Sequence, residues 1–455
     1  MSKTLNHIYE HSIPKKLNIS WEEFHDIQHT EPITSVRMNP LKQTTQFESE
    51  EKVPWSEHGY YLKNRPNFTA DPLLHAGAYY VQEASSMFLE FALKQLVDFN
   101  KQLTALDLCA APGGKTTLLS SLLSEDSLLI ANEVIATRVN ILNENVTKWG
   151  NINTWISNSD ALHFGKLFNH FDLMIVDAPC SGSGLFRRIP GYLDEWTQDN
   201  VNLCVQRQKR ILHDSYPCIA QDGILIYMTC SFSQEENEEM VDYILGNFDV
   251  ESCNIPLDEK WNIVETESEI HKGKGYRFFP HKLKGEGFFL ACFKKKDGSM
   301  KDIPYEKNKN KLAIESEVLT NYIDMKGLVA INQKSNILLM QENHVPYYNA
   351  LTSQLKLIKK GILAGQIIRN ELIPDHELAM CSKINKGIKS TELTINEAIL
   401  YLKKENISLS DSPKGWLLVQ FQQQNLGWVK NIGNRVNNYY PSNYRILSKN
   451  ILPSK

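Results

Sequence analysis

Several features that would settle the class of this 455-residue chain at once are missing from it. No stretch reaches about 18 consecutive apolar residues, so no membrane-spanning helix is expected. The N-terminus, MSKTLNHIYEHSIPKKL, has no apolar core and is no secretory signal. The eight cysteines are scattered, with no CxxC pair and no zinc-ligand spacing. That fits a reducing cytosol, so a cytoplasmic protein is expected, with neither a disulfide framework nor a metal site. G-x-G-x-x-G is absent, and the one glycine-rich turn is no phosphate loop, because Cys109 stands where that motif needs glycine. There is no internal repeat and no low-complexity tract. An excess of positive charge is also missing: the net charge of −4 does not by itself suggest a nucleic-acid binder.

The distribution of charge says more than its sum. Residues 231–260 hold nine acids against Lys260, a net of −8, whereas residues 401–455 hold eight bases against Glu405 and Asp411, a net of +6. Such asymmetry permits a basic face, although solvated surface charge is the plainer account. Pro14–Leu17 and Arg37–Lys42 are basic segments broken by proline, suited to phosphate contact or to a polar surface.

The most informative stretch is Asp177-Ala178-Pro179-Cys180-Ser181-Gly182-Ser183-Gly184, which follows the apolar run Phe171–Val176. It reads as an acid and a thiol just past the carboxyl end of a buried strand, where ligands of open α/β sheets sit. A second thiol, Cys230, follows the apolar run Gly223–Thr229. Two thiols at two strand ends, one beside an acid, suggest covalent chemistry on an electron-poor ring. The thiols at 204, 218, 253, 292 and 381 read as buried.

Upstream, a helix is predicted over 85–97 and a strand over 104–108. The strand enters Cys109-Ala110-Ala111-Pro112-Gly113-Gly114-Lys115 and a following helix. Strand, glycine turn and helix open a nucleotide-binding α/β unit, with free N–H groups at the helix start. Further strands are predicted over 128–132 with Glu133 at its end, over 153–156 with Asp160 just beyond its end, and ending at Asp177 and at Thr229. Asp107, Glu133, Asp160 and Asp177 thus punctuate four successive strands, the arrangement of a seven-stranded adenosine-cofactor fold. Glu133 occupies the place of an acid that holds a ribose diol. A helix over 196–220 reads as an amphipathic surface element, one over 234–245 as an acidic helix covering the sheet, and 294–311 as a linker. Beyond it, residues 401–455 interleave bases with aromatics, which suits RNA and equally suits a small β domain.

The strings CAAPGGKT (109–116), DAPCSGSG (177–184), TCSFSQEENE (229–238) and GEGFF (285–289) together resemble the Sun/Fmu-type RNA cytosine-5 methyltransferases over residues 30–295. The tail LGWVKNIGNRVNNYYPSNYRI (426–446) resembles the RsmF-type branch, whose members methylate small-subunit ribosomal RNA. The resemblance implies a Rossmann-like α/β methyltransferase domain over 76–297, an N-terminal α+β RNA-binding region over 1–75, an intermediate domain over 313–385 and a PUA-like RNA-binding domain over 386–455. It also implies S-adenosylmethionine as methyl donor and 16S rRNA, or the small subunit, as partner of a monomeric enzyme with no membrane role. By position, Cys109, Ala110, Ala111, Pro112, Gly113, Gly114 and Lys115 would line the methionine and ribose side. Glu133 would bind ribose, Asp160 would lie near adenine, and Asp177 would be the acid of the catalytic strand. Lys115 would sit near the donor or the base. The family assigns Cys230 as nucleophile and Cys180 as release partner; the residues alone do not rank the two. Other readings are the same chemistry on tRNA and an RNA-binding ribosome assembly factor.

Overall fold

The computed structural model describes residues 2–12, 19–189, 191–298, 317–409 and 412–448. Pro14–Leu17 and the expected linker beyond residue 298 lie outside the described residues, and Lys294 and Lys295 end a strand instead of opening that linker.

Seven strands form the centre of the molecule: β1 (Thr104–Asp107), β2 (Leu128–Asn132), β3 (Thr154–Ser157), β4 (Phe171–Asp177), β5 (Ile219–Thr229), β6 (Lys274–Phe278) and β7 (Phe288–Lys295). Their order across the sheet is β3-β2-β1-β4-β5-β7-β6, parallel from β3 to β5 and antiparallel at β7 and β6. The strand order reverses between β1 and β4, which opens a crevice at their carboxyl ends. The predicted seven strands are all present, but the sheet has ten. Val264–Glu267 pairs with β6, Val250–Ser252 with β7, and Leu357–Lys359 joins β3 antiparallel. The last of these comes from beyond the expected linker, so sequence order gave no sign of it.

The apolar runs are continuous because both faces of the sheet are covered. Alternation decides which face each residue feeds. Leu106, Met174, Val176, Leu225 and Tyr227 enter one core; Ala105, Leu173, Ile175, Ile226 and Met228 enter the other. The first core also receives Tyr347, Leu351 and Leu355 from the C-terminal half. The second is closed by helix Phe88–Leu96 and by α1 (Gly114–Leu122). α2 (Ala136–Trp149), α3 (Gln198–Ser215) and α4 (Glu238–Asn247) complete the layers.

Before the central sheet lie the helix Trp21–Ile27, closed by a Ser20/Glu23 capping box, and a four-stranded sheet that includes Thr34–Met38. The basic segment here is not a phosphate-facing surface. Arg37 is buried and donates to Gln82 Oε1 (2.8 Å), Gly114 O (3.2 Å) and Thr117 Oγ1 (2.6 Å). Lys42 Nζ donates to Ala76 O (2.7 Å) and to the Lys148 carbonyl. These cations satisfy carbonyls and hydroxyls where the N-terminal sheet meets α1 and α2, and buried acceptors without donors would be costly.

After residue 317, strands within 328–374 form one four-stranded sheet, and Ser390–Glu392, Gly415–Phe421, Gln424–Asn431 and Val436–Asn438 form another. The second packs on helix Ile395–Leu402, which starts at a Thr394/Glu397 capping box. Its aromatics are mostly core, which is the small β domain of the two readings their spacing allowed. Trp416, Trp428, Tyr440 and Tyr444 are buried, whereas Tyr439 is exposed. Among the described residues no helix is long and apolar enough to cross a membrane.

Gly150 ends α2 at φ 94° and joins the halves: Ser382 N donates to its carbonyl at 3.0 Å. A Cβ there would lie 2.4 Å from Met380 O. Gly150→Ala should therefore lower stability by about 2 kcal/mol or more, read as a fall in the midpoint of urea unfolding.

Candidate functional site

One side of the crevice is built on the turn after β1. Leu108 N donates to Ile175 O (3.0 Å) and Ala110 N to Asn132 O (2.8 Å), which pins the turn between β4 and β2. Gly113 adopts φ 115°, open to glycine, and caps α1, whose first N–H groups face out of the turn. Arg138 Nη2 and Asn145 Nδ2 donate to Ala111 O (2.5 Å) and Pro112 O (2.8 Å). Beneath lies Asp107, fully buried, with one oxygen accepting from Thr116 Oγ1 at 2.6 Å and the other without a partner. Burial pushes its carboxyl up to about 7, against the Thr116 bond. Burial and the surrounding acids push the Cys109 thiol far up.

Glu133 and Asp160 lie at the ends of β2 and β3, which run side by side. Glu133 accepts from Ile135 N (2.8 Å) and pairs with Arg138 (3.2 Å). Asp160 caps a short helix through Leu162 N (3.1 Å) and pairs with Arg210 (3.3 Å). Asn158 Nδ2 ties the two loops by donating to Glu133 O (2.8 Å) and Val134 O (3.0 Å). Val134, Ile135 and Leu162, next to these acids in sequence, are exposed despite being apolar. Two acids with lone pairs to spare, an apolar shelf, and a glycine-opened helix start fit an adenosine-bearing cofactor in their donor chemistry.

The two thiols lie beyond the ends of β4 and β5. The register of these strands, Asp177 opposite Met228, brings the loops beyond them together. Cys180 Sγ and Cys230 Sγ are 3.2 Å apart. Lys115, from the start of α1, donates to Asp177 Oδ2 at 2.8 Å and lies over the Phe288 ring. Burial would lower the Lys115 ammonium, but the charge and hydrogen bond of Asp177, together with the charge of Cys230, outweigh it and raise it. The Cys180 thiol is pushed well up, first by its bond to Cys230, then by burial and the charges of Cys230 and Glu236. The charge of Lys115 is felt at Cys230 and that of Glu236 at Cys180, so the two thiols sit in unlike surroundings.

The structure places Cys109–Lys115 on the turn after β1 and the start of α1, Glu133 and Asp160 beyond β2 and β3, and Asp177, Cys180 and Cys230 at and beyond the ends of β4 and β5. Cys204, Cys218, Cys292 and Cys381 are buried, as expected, and Cys253 is only partly so. Sequence reading missed Glu236, Asn237, Ser181, Ser231 and Gln208. The acidic run was expected to be solvated, yet Glu236, Glu238 and Asp242 are buried. Glu238 pairs with buried Arg277 (2.7 Å), and Asp242 accepts from two backbone N–H groups. The signal available was their place directly after Cys230. Gln208 lies on the inner face of α3, not among the outward residues that made that helix look like plain surface. Among the described residues there is no cluster of three or more His, Cys, Asp or Glu able to hold a metal.

The sheet order and glycine turn define a Rossmann-like methyltransferase fold. It is shared with the crystal structure of a methyltransferase homolog protein from Pyrococcus horikoshii (TM-score 0.53, 28% identity, 65% of this chain and 99% of that one). Residues 5–84 match the N-terminal domain of 16S rRNA methyltransferase RsmF, 94–294 the 16S rRNA methyltransferase RsmB/F family, and 388–446 the methyltransferase RsmF PUA domain. The chain is similar to ribosomal RNA small subunit methyltransferase F of Shewanella piezotolerans (28% identity, 86% of this chain, 84% of that protein). It is likewise similar to the protein of that name from Vibrio parahaemolyticus (29% identity, 93% and 94%). The chain belongs to this RsmB/F family of methyltransferases, the Sun/Fmu family.

Asp107 generates a prediction. With its folded-state value raised to about 7 from 3.8, the native chain keeps a proton that the unfolded chain has lost. Stability therefore falls as pH rises through that window. Between about pH 5 and 8 the wild type should lose roughly 2–3 kcal/mol relative to Asp107→Asn, measured by urea midpoints at the two values.

Proposed function

We propose that the protein is an S-adenosylmethionine-dependent RNA cytosine-5 methyltransferase acting on 16S rRNA in the cytoplasm. The observation that carries the reading is the 3.2 Å approach of Cys180 and Cys230 sulfurs beside the Lys115–Asp177 pair. The family membership and the names of the relatives support rRNA as substrate. Residues 1–75 and 386–455 are read as parts that hold RNA, the latter because of the PUA match.

When bound, S-adenosylmethionine supplies an electrophilic methyl group. The turn Cys109–Lys115 would hold its methionine and ribose side, Glu133 the ribose hydroxyls and Asp160 the adenine edge. The target cytosine leaves its stack to enter the crevice. Cys230 adds to carbon 6: its S–H bond breaks, sulfur bonds carbon 6 and the proton passes to ring nitrogen 3, so that carbon 5 becomes enamine-like and nucleophilic. Electron density builds toward ring nitrogen 3 and the exocyclic amine. Asp177 hydrogen-bonds there, best with a proton shared with nitrogen 3, and Lys115 keeps it oriented. Once carbon 5 carries methyl, its proton passes to a solvent base and the electrons of that bond restore the ring double bond. The carbon 6–sulfur pair departs with Cys230, and Cys180 assists the expulsion.

Bisulfite sequencing of rRNA methylated by the purified protein tests the reading. A new protected cytosine in 16S rRNA is expected; unchanged protection at every cytosine contradicts it, and protection confined to tRNA would move the substrate. Cys180→Ala should accumulate a denaturant-resistant protein–RNA adduct and Cys230→Ala should form none, read on a denaturing gel. The reverse pattern would exchange the two roles.

A further inference from the structure

The two sulfurs sit on separate loops, and nothing in the strand register alone fixes their separation to a fraction of an ångström. The loops meet directly, Gly184 N donating to Cys230 O (2.9 Å) and Phe232 N to Ser183 Oγ (2.7 Å), and a buried carboxylate ties them again at the residues next to the sulfurs. Glu236 Oε1 accepts from Ser181 N (2.9 Å) and Gln208 Nε2 (3.1 Å). Its Oε2 accepts from Ser181 Oγ (2.6 Å) and Ser231 Oγ (2.5 Å). Ser181 follows Cys180 and Ser231 follows Cys230, so each sulfur is one residue from a bond to the same carboxylate. The two hydroxyls also meet each other at 3.1 Å.

The splint is itself anchored. Gln208 Nε2 donates to Pro179 O (3.1 Å), on the other side of Cys180. Tyr227 Oη donates to Glu236 O (2.8 Å) and lies 3.0 Å from Gln208 Oε1. Asn237 brackets Cys230 from both sides, accepting from Thr229 Oγ1 (2.6 Å) and donating to Ser231 O (2.8 Å). Glu236 is fully buried. Burial pushes its carboxyl up, and its hydrogen bonds from Ser181, Ser231 and Gln208 pull the other way. A buried carboxylate with four donors is costly to assemble unless its placement serves something, and here it touches only the loops of the two thiols and their supports.

We propose that Glu236 is a positioning residue that splints the Cys180 and Cys230 loops and sets the distance between their sulfurs. The proposal rests on the reading of these thiols as the reacting pair, but its geometric half is testable without RNA or cofactor. Diamide oxidises two neighbouring thiols to a disulfide: two S–H bonds break, one S–S bond forms, and the diazene takes up both protons and both electrons. Only sulfurs held together cross-link quickly.

The experiment measures Cys180–Cys230 cross-linking by peptide mass spectrometry in the full-length wild type, Glu236→Ala, Glu236→Gln and Ser231→Ala. It then measures kcat and KM for RNA methylation in the same proteins. Glu236→Ala should cross-link at least tenfold more slowly and lose about 100-fold in kcat, the cost of misplacing reacting groups by about 1 Å, with KM for RNA within threefold. Glu236→Gln keeps one acceptor oxygen, and its amide can donate to hydroxyls that turn to accept, so it should restore both rates to within about tenfold of wild type. Ser231→Ala removes the Glu236 tie on the Cys230 side together with that hydroxyl's contacts to Ser181, Ser183 and Ser233 N, and should slow cross-linking at least threefold, which carries the comparison if Glu236→Ala does not fold. Cross-linking at the wild-type rate in both Glu236→Ala and Ser231→Ala overturns the proposal, as does a loss in KM alone. A wild type that cross-links quickly but methylates no cytosine sinks the reading of function and leaves the splint standing.

Discussion

The parallel pairing of β4 with β5 is the constraint on which the rest depends. Asp177 lies opposite Met228, so the two strands end level and release their loops on the same side of the sheet. A slip of one residue would turn the runs 171–177 and 224–229 over, sending core side chains to the wrong face. Because Leu173 and Ile175 feed one core and Met174 and Val176 the other, the register is over-determined by packing. The chemistry at the strand ends inherits that rigidity, and function is placed by apolar side chains that never meet the substrate.

The flanking regions act on the same crevice from outside. Arg37, from the N-terminal sheet, holds Gly114 O and Thr117 Oγ1 at the start of α1, close to the turn that carries Lys115. From the C-terminal half, Lys356 N donates to Ser159 Oγ (3.0 Å), and Asn158 N donates to Lys356 O (2.9 Å), just before Asp160. Both ends of the cofactor crevice are therefore braced by chain outside the central seven strands. The added parts are structural supports of the site as well as separate folded layers.

Much of the fold was legible because it is written locally. Apolar runs of strand length, a glycine turn and acids at four strand ends depend on neighbours in sequence, and each appeared where expected. The pair Cys180 and Cys230 was legible for the same reason. What was hidden depends on contacts between distant segments. Leu357–Lys359 joins the sheet edge from about 200 residues away in sequence from its partner strand. Glu236 and Glu238 look solvent-bound in a run of acids, and only Ser181, Gln208 and Arg277, brought in from elsewhere, make their burial tolerable. The aromatic-basic tail allowed two readings, RNA contact or a small β domain, and the structure shows the β domain: Trp428 donates its indole N–H to Asp375 O (2.8 Å) inside it. Net charge and residue spacing cannot tell a stacking platform from a core.

The central claim is that Cys230 forms a transient bond to a pyrimidine ring while Cys180 waits against it. The most direct measurement uses 16S rRNA containing 5-fluorocytidine, whose carbon 5 fluorine cannot leave as a proton, so that the adduct is trapped after methyl transfer. Digestion and mass spectrometry should find the methylated fluorocytidine attached to the peptide containing Cys230. Attachment at Cys180, or methyl transfer with no trapped peptide, would contradict the account.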